Sequence, residues 1–188
     1  MPVISKVWFS PLDEELEESA ISKKVWNLFQ EATNEDENLP DEEDFVAVKI
    51  HFGEGNNTGH VNPDYLSDLL EGCKERNAKP FLTDANTLYE GQRDNSVEHL
   101  MQAYEHDFNV ENTGVPVIIA DGLLSKNYSE VDINGEEFNR ASISNDILHS
   151  DYIISIAHAT GSPATGFGAT IKNLGMGCAS RAGKQLQH

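Results

Sequence analysis

The sequence has few basic residues, and this shortage limits the partners that the protein can have. It contains 13 lysines and arginines against 32 aspartates and glutamates, so its formal net charge is −19. Because such a charge repels a phosphate backbone, we expect no nucleic-acid partner. Much of the charge lies in residues 13–18 and 35–44, which we interpret as solvated surface. Docking to a basic partner and adaptation to high salt are alternatives that the sequence leaves open.

Cysteines and long apolar segments are also scarce. The two cysteines, Cys73 and Cys178, lie far apart, so the chain by itself offers neither a zinc ribbon nor a cysteine-ligated cluster. No segment approaches the roughly 20 apolar residues that span a bilayer, and the first residues lack the apolar stretch of a signal peptide. We therefore expect a cytoplasmic protein that has no membrane partner and no structural disulfide.

Short apolar segments alternate with amphipathic ones along the 188 residues, which suffice for one hydrophobic core. We predict strands over 6–10, 45–51, 80–83, 116–120 and 151–158, and helices over 19–32, 63–73, 96–106 and 145–149 and from about residue 169. The dipeptide Asn134-Gly135 favours a two-residue turn, so we predict a hairpin formed by 128–133 and 136–142. The pattern predicts a single α/β domain over residues 1–188, with three layers, a mainly parallel sheet and an inserted β-hairpin.

Polar residues recur where the predicted parallel strands end. They are Lys49 and His51 after one strand, Asp84 and Asn86 after the next, and Asp121 and His158 after two others. Ligands of open parallel sheets bind beyond the carboxyl ends of the strands, so we predict that these side chains share one rim. Asp84 is the candidate general base, with Lys49 and Lys172 as further catalytic candidates. The alternative is that the aspartates cap the turns that follow them.

The loop over residues 51–60 is rich in glycine and carries His51, Glu54 and His60. Glycines permit the sharp turns that bring such side chains together. With His158 from another strand, the loop offers nitrogen and oxygen ligands that suit a divalent ion of zinc, iron or nickel. We predict a metal site at His51, His60 and His158. The alternative is that these histidines are hydrogen-bonded loop or core residues, because their spacing matches no established metal signature.

A second glycine-rich segment, over residues 161–168, follows a predicted strand and leads into a helix. Free N–H groups at such a helix start favour a bound anion. The predicted ligand is a small carboxylate or phosphate. The predicted contacts are Thr165, Gly166, Gly168, Thr170, Lys172 and, from the strand-end rim, Asn86. The segment matches neither a Walker A loop nor the dinucleotide-binding fingerprint, and a purely structural tight turn is the alternative.

Small residues surround Cys178 in the segment over residues 175–184, which also carries Arg181 and Lys184. Nearby positive charge favours a thiolate, so a reactive cysteine is one interpretation. A closely packed helix end is the other. No nucleophile elbow supports a Ser-His-Asp triad.

Four segments of the sequence resemble those of a known family. They are Val48 to Glu54, Lys79 to Tyr89, Pro116 to Gly122 and Ile171 to Lys184. From about residue 45 to its end, the sequence resembles the uncharacterised iron–sulfur-centre family called domain of unknown function 362. The resemblance implies a catalytically unassigned α/β domain that is commonly followed by a ferredoxin-like module, whose cysteines bind [4Fe–4S] clusters.

The sequence ends at His188 without a cysteine cluster, so we expect either a truncated domain or a version that lacks the module. A [4Fe–4S] cluster is then expected only if a missing C-terminal module or a partner supplies the cysteines. The leading hypothesis is a redox-linked domain that binds a metal or a small anionic substrate. The second is a non-catalytic acidic domain that docks on an iron–sulfur partner, and the third is a cofactor-independent hydrolase or isomerase that uses Asp84 and Lys49.

Overall fold

The computed structural model describes residues 6–13, 15–34, 38–162 and 166–187. Its α-helices are, in chain order, α1 (Glu18–Asn34), α2 (Ser67–Glu75), α3 (Ser96–Glu105), α4 (Val110–Thr113), α5 (Asn145–Leu148), α6 (Thr170–Gly175) and α7 (Arg181–Gln187). A 3-10 helix over Pro63–Leu66 leads into α2. The strands are β1 (Phe45–Ile50), β2 (Lys79–Asp84), β3 (Val117–Ile119), β4 (Tyr128–Asp132), β5 (Arg140–Ser144), β6 (Tyr152–Ile156), β7 (Thr160–Ser162) and β8 (Gly166–Gly168).

Four parallel strands form the central sheet, in the order β3-β2-β1-β6. The strand β1 lies inside this sheet, where Ala47 pairs with Phe81 of β2 and with Ile153 of β6, as its nearly continuous apolar run predicts. From β1 the chain adds β2 and β3 on one side and later returns to add β6 on the other. The loops that follow β1 and β6 therefore lead in opposite directions, which leaves a crevice at the carboxyl ends of these two strands.

Successive side chains of a strand point to opposite faces of the sheet. Helices cover both of these faces. Val46, Val48 and Ile50 of β1 belong to the main core, together with residues of α2 and α3. Lys49 points to the other face, where its ammonium donates to the side chain of Asn173 in α6 (2.7 Å). The predicted three-layer α/β architecture with a mainly parallel sheet is confirmed.

The predicted inserted hairpin is present as β4 and β5, which pair antiparallel from Tyr128 opposite Ser144 to Asp132 opposite Arg140. Its turn is longer than predicted. The amide of Ile133 donates to the carbonyl of Asn139 (2.8 Å), which closes a loop over residues 133–139. The second strand therefore begins at residue 140 and not at 136, and Asn134-Gly135 lies inside the loop.

Two other predictions about elements are wrong. Residues 6–10 were expected to form a strand, but none of the strands in the described parts of the chain includes them, and Val7 and Phe9 are 88% and 84% exposed. Alternation of apolar and polar residues does not suffice, because a strand needs a neighbour for its backbone hydrogen bonds. Residues 161–168 were expected to form a glycine-rich loop, but this segment contains residues of β7 and β8, which pair antiparallel.

The apolar stripe of α3 faces solvent and not the core. Val97, Met101 and Tyr104 are each more than half exposed, whereas His99 and Gln102 are buried. The buried side of this helix is therefore partly polar, and its His99 ring lies 3.6 Å from the carboxylate of Asp84. None of the helices in the described parts of the chain is long and apolar enough to cross a membrane.

Candidate functional site

A cavity of about 800 Å³ opens at the carboxyl ends of β1, β2 and β6. It lies at the crevice where the strand order reverses, the usual ligand position in an open parallel sheet. Its charged lining consists of Lys49, Arg93, Lys172, Lys184, Glu54 and Asp84. Four of the chain's 13 basic residues but only two of its 32 acidic residues thus line the cavity. The sheet gathers positive charge here, in a protein whose surface is strongly negative.

Lys49 and Asp84 form a buried ion pair in the wall of the cavity. Their side chains are 1% and 4% exposed, and Nζ lies 2.9 Å from Oδ1. The pair forms because β1 and β2 are neighbouring parallel strands, whose carboxyl ends meet at the same edge. Burial alone would raise the pKa of Asp84, but Lys49, His99 and Arg93 together hold the pKa well below its usual range. Asp84 is therefore a weak base, and we expect it to position cations and not to take a proton.

Arg93 and Tyr89 extend this network across the loop between β2 and α3. One guanidinium nitrogen of Arg93 donates to Asp84 Oδ2 (3.1 Å), and the other donates to Glu54 and to the Tyr89 hydroxyl (2.9 Å). The Tyr89 hydroxyl donates to Glu54 Oε1 (2.6 Å). Burial opposes the charge on Glu54, but these two donors lower its pKa. The sequence pattern does not single out Arg93, because it lies in a loop without apolar periodicity.

Asn173 joins α6 to the ends of β1 and β6. Its amide nitrogen lies within 3.1 Å of the Lys49 carbonyl, the Ser155 hydroxyl and the Ile156 carbonyl. The chain also approaches Lys49 closely at Gly177, where an added Cβ would lie 2.6 Å from Nζ of Lys49. Any side chain at position 177 would therefore displace the buried ammonium. Gly177 thus serves close packing, as one of the two interpretations of this segment proposes.

Cys178 itself is buried. Burial raises the pKa of its thiol, and the positive charges of Lys49 and Lys184 do not offset this effect. The surroundings of Cys178 thus favour the neutral thiol, in line with the interpretation as a closely packed helix end. The position of Cys178 near basic residues in the sequence did not reveal that this residue is only 6% exposed.

Lys184 is a buried lysine of α7 that reaches the same cavity. Its ammonium donates to the carbonyl of Asn86 (2.6 Å) and weakly to that of Ala85 (3.3 Å). Burial lowers the pKa of Lys184 to about 8, while Asp84 and Asp121 oppose the shift. The sequence places this lysine in a resembling segment but assigns it no role of its own.

The three predicted metal ligands, His51, His60 and His158, all line the cavity. His60 stacks on His106 with 4.1 Å between the ring centres, and His51 Nδ1 accepts from the amide of Gly53 (2.9 Å). Desolvation by the surrounding cavity wall and the charge of Arg93 lower the pKa of His51 to about 4, so its ring is neutral at neutral pH. Among the described residues, no three His, Cys, Asp or Glu side chains lie close enough to hold one metal ion. The metal site stays a prediction.

The predicted anion contacts are divided between the cavity and other places. Gly168 and Lys172 line the cavity, whereas Gly166 and Thr170 do not, and Thr165 lies outside the described residues. Asn86 is completely buried behind the cavity wall. Its backbone and side-chain nitrogens donate to Asp121 Oδ1 (3.0 and 2.9 Å). Asn86 and Asp121 thus hold two strand ends together.

Comparison with known proteins gives one match. The model of the family described as Domain of unknown function (DUF362) matches residues 46–188, a span that contains the whole cavity lining. No curated protein and no solved structure matches the chain.

Proposed function

We propose that this chain, which belongs to the DUF362 family described only as a domain of unknown function, binds a small organic anion in the cavity. The observation that carries this proposal is the concentration of cations at the strand-order reversal. The negative groups there, Asp84 and Glu54, are occupied by Lys49 and Arg93. Lys172 and Lys184 are left to attract a ligand.

Lys172 is the group that makes the first contact in this proposal. It is exposed at the mouth of the cavity, and none of the ion pairs found among the described residues involves it. Lys184, which is 7% exposed, also lines this cavity. An anion that binds to both Lys172 and Lys184 would neutralise their ammonium charges, which have no carboxylate partner among the described residues. Low-dielectric walls strengthen such attraction.

The size and apolar part of the cavity indicate the kind of molecule. A volume of about 800 Å³ lies within the range of small-molecule sites, roughly 300–1,000 Å³. Val61, Leu88, Ile156 and Met176 add apolar surface to the lining. We therefore expect a metabolite-sized ligand that has a carboxylate or phosphate group and an uncharged body.

Calorimetric titration with oxalate, malonate and inorganic phosphate tests the proposal. We expect saturable binding of at least one of them, and about tenfold weaker binding to Lys172→Gln, which corresponds to 1.4 kcal/mol. Lys126→Gln is the matched control, because Lys126 is exposed and lies outside the cavity. Equal binding to both variants, or no binding to the wild type, would contradict the proposal.

The redox link and the iron–sulfur partner stay predictions that rest on the resemblance. The acidic docking alternative rests on the net charge of −19, and association that weakens steeply with salt would support it. Elemental analysis of anaerobically purified protein tests the metal prediction. Metal that disappears from a variant without His51, His60 and His158 would support it, and equal metal content in both proteins would contradict it.

A further inference from the structure

Lys184 differs from the other buried cations of the cavity in its partners. Lys49 and Arg93 face the carboxylates of Asp84 and Glu54. Lys184 is 7% exposed and donates only to the backbone carbonyls of Ala85 and Asn86 among the described residues. A buried ammonium without a carboxylate partner is costly, so this environment raises the fraction of neutral amine above that of an ordinary lysine.

The number of acceptors fits the amine form. A neutral amine has two N–H donors and one lone pair, whereas an ammonium has three N–H donors and no lone pair. The two carbonyls match the two donors of the amine. The lone pair then remains available to react with a molecule in the cavity.

Burial and the charged groups around Lys184 act on its pKa in opposite directions, and the net effect is a lower pKa. Burial has the largest effect and lowers its pKa, the carboxylates of Asp84 and Asp121 raise it, and Lys49 and Arg93 lower it further. The resulting pKa of about 8 leaves about one tenth of the molecules with a neutral amine at pH 7. An ordinary lysine has a hundredfold or more smaller amine fraction at this pH.

We propose that Lys184 is a catalytic nucleophile, whose amine forms an imine with the carbonyl carbon of a small 2-oxo acid bound in the cavity. This inference rests on the proposed anion site, because the carboxylate of the 2-oxo acid is the group that Lys172 attracts. Desolvated lysines next to other cations commonly act in this way.

The step balances without an oxidant or a further reactant. The lone pair of Nζ attacks the carbonyl carbon, and one amine proton passes to the carbonyl oxygen to give a carbinolamine. The C–O bond then breaks, the second amine proton leaves with the hydroxyl group as water, and a C=N bond remains. Once protonated, this imine withdraws electrons from the bonds of the neighbouring carbon. Its class of chemistry is therefore C–H or C–C bond cleavage next to the carbonyl.

Reductive trapping tests the inference on the intact protein. The wild type is incubated with glyoxylate and cyanoborohydride at pH 7, and labelled lysines are located by peptide mass mapping. We expect Lys184 to be labelled at least about tenfold faster than the exposed Lys126, because its amine fraction is larger. An excess of oxalate should protect Lys184 and leave Lys126 unaffected.

Two variants identify the labelled residue. Lys184→Met and Lys184→Arg should both lose the fast label, and Lys126→Met should keep it. Lys184→Arg retains a donor for the two carbonyls, so it serves if the methionine variant does not fold. Because labelling is located in the wild type itself, the result does not depend on either variant.

The possible outcomes separate this inference from the proposed function. If oxalate binds through Lys172 but glyoxylate labels Lys184 no faster than Lys126, the imine is overturned and the anion site stands. If neither oxalate nor glyoxylate binds, and Lys184 is not labelled, both are overturned. Fast labelling that oxalate prevents supports both.

Discussion

At the scale of single residues, the wall of the cavity consists of buried charges that depend on one another. Asp84 accepts from Lys49 and Arg93 and is also approached by His99. Such groups contribute to stability only while their partners are present, since a buried charge without a partner is costly.

Replacing Lys49 with methionine should destabilise the fold strongly. The substitution leaves Asp84 without its nearest cation, and removal of one partner of a buried pair costs about 3–5 kcal/mol. Urea unfolding measures the loss. Lys79→Met is the control, because its pair with Glu43 is exposed and should contribute less than about 1 kcal/mol. Similar small losses in both variants would contradict the role of the buried pair.

The stability of the protein should depend on His51 between about pH 4 and pH 6.5. Because its pKa in the folded protein is lowered to about 4, the unfolded chain binds more protons than the folded chain in this range. The free energy of unfolding should therefore fall as the pH falls through the range. His51→Gln should reduce this dependence, and NMR titration of the ring should show a pKa well below 6.5. A pKa at or above this ordinary value would refute the prediction.

At the scale of elements, the C-terminal segment is held in place by the inserted hairpin. The amide of Ser144 in β5 donates to the carbonyl of Cys178, and the amide of Ser180 donates to the carbonyl of Ser142 (both 3.0 Å). An added Cβ at Gly183 would lie 2.7 Å from the same Ser142 carbonyl, so α7 packs directly on β5. The hairpin thus positions the helix that carries Lys184.

Two glycines of this segment should respond differently to substitution. Gly177→Ala would place a Cβ 2.1 Å from the carbonyl of Asn173 and 2.6 Å from Lys49 Nζ, so we expect a destabilisation of about 1–3 kcal/mol. Gly175→Ala meets nothing within 4 Å and should change stability by less than about 0.5 kcal/mol. Chemical denaturation of both variants makes the comparison. Equal effects would mean that the close approach at Gly177 has no energetic consequence.

At the scale of the whole molecule, the charge distribution is uneven. A net charge of −19 creates repulsion that opposes the compact state, and salt screens this repulsion. We expect the Tm to rise between about 0.01 M and about 0.5 M NaCl, over which the Debye length falls from about 30 Å to a few ångströms. A falling Tm would show instead that attractive ion pairs dominate.

A variant with fewer acidic residues provides the control for this salt effect. Glu15→Gln, Glu17→Gln and Glu31→Gln together change the net charge from −19 to −16, and all three side chains are exposed. The variant should have a higher Tm at low salt and a weaker dependence on NaCl. Scanning calorimetry measures both.

The sequence by itself determined the helices and strands that follow from local patterns of apolar and polar residues. The apolar run over 45–51 predicts β1 because a buried parallel strand needs apolar side chains on both faces, and the period of residues 19–32 predicts α1. The positions of Lys49 and Asp84 at strand ends also predict that they meet, since parallel strands end at one edge of the sheet.

Only the tertiary structure decided which groups complete the site and in which protonation state. Arg93 and Tyr89 come from an irregular loop, and Lys184 comes from a helix about 100 residues after its carbonyl acceptors. No local pattern specifies such contacts. The low pKa of Lys184 and the raised pKa of Cys178 depend on burial and on charges from several elements. Burial and distant charges exist only once the chain has folded, so sequence spacing alone does not reveal them.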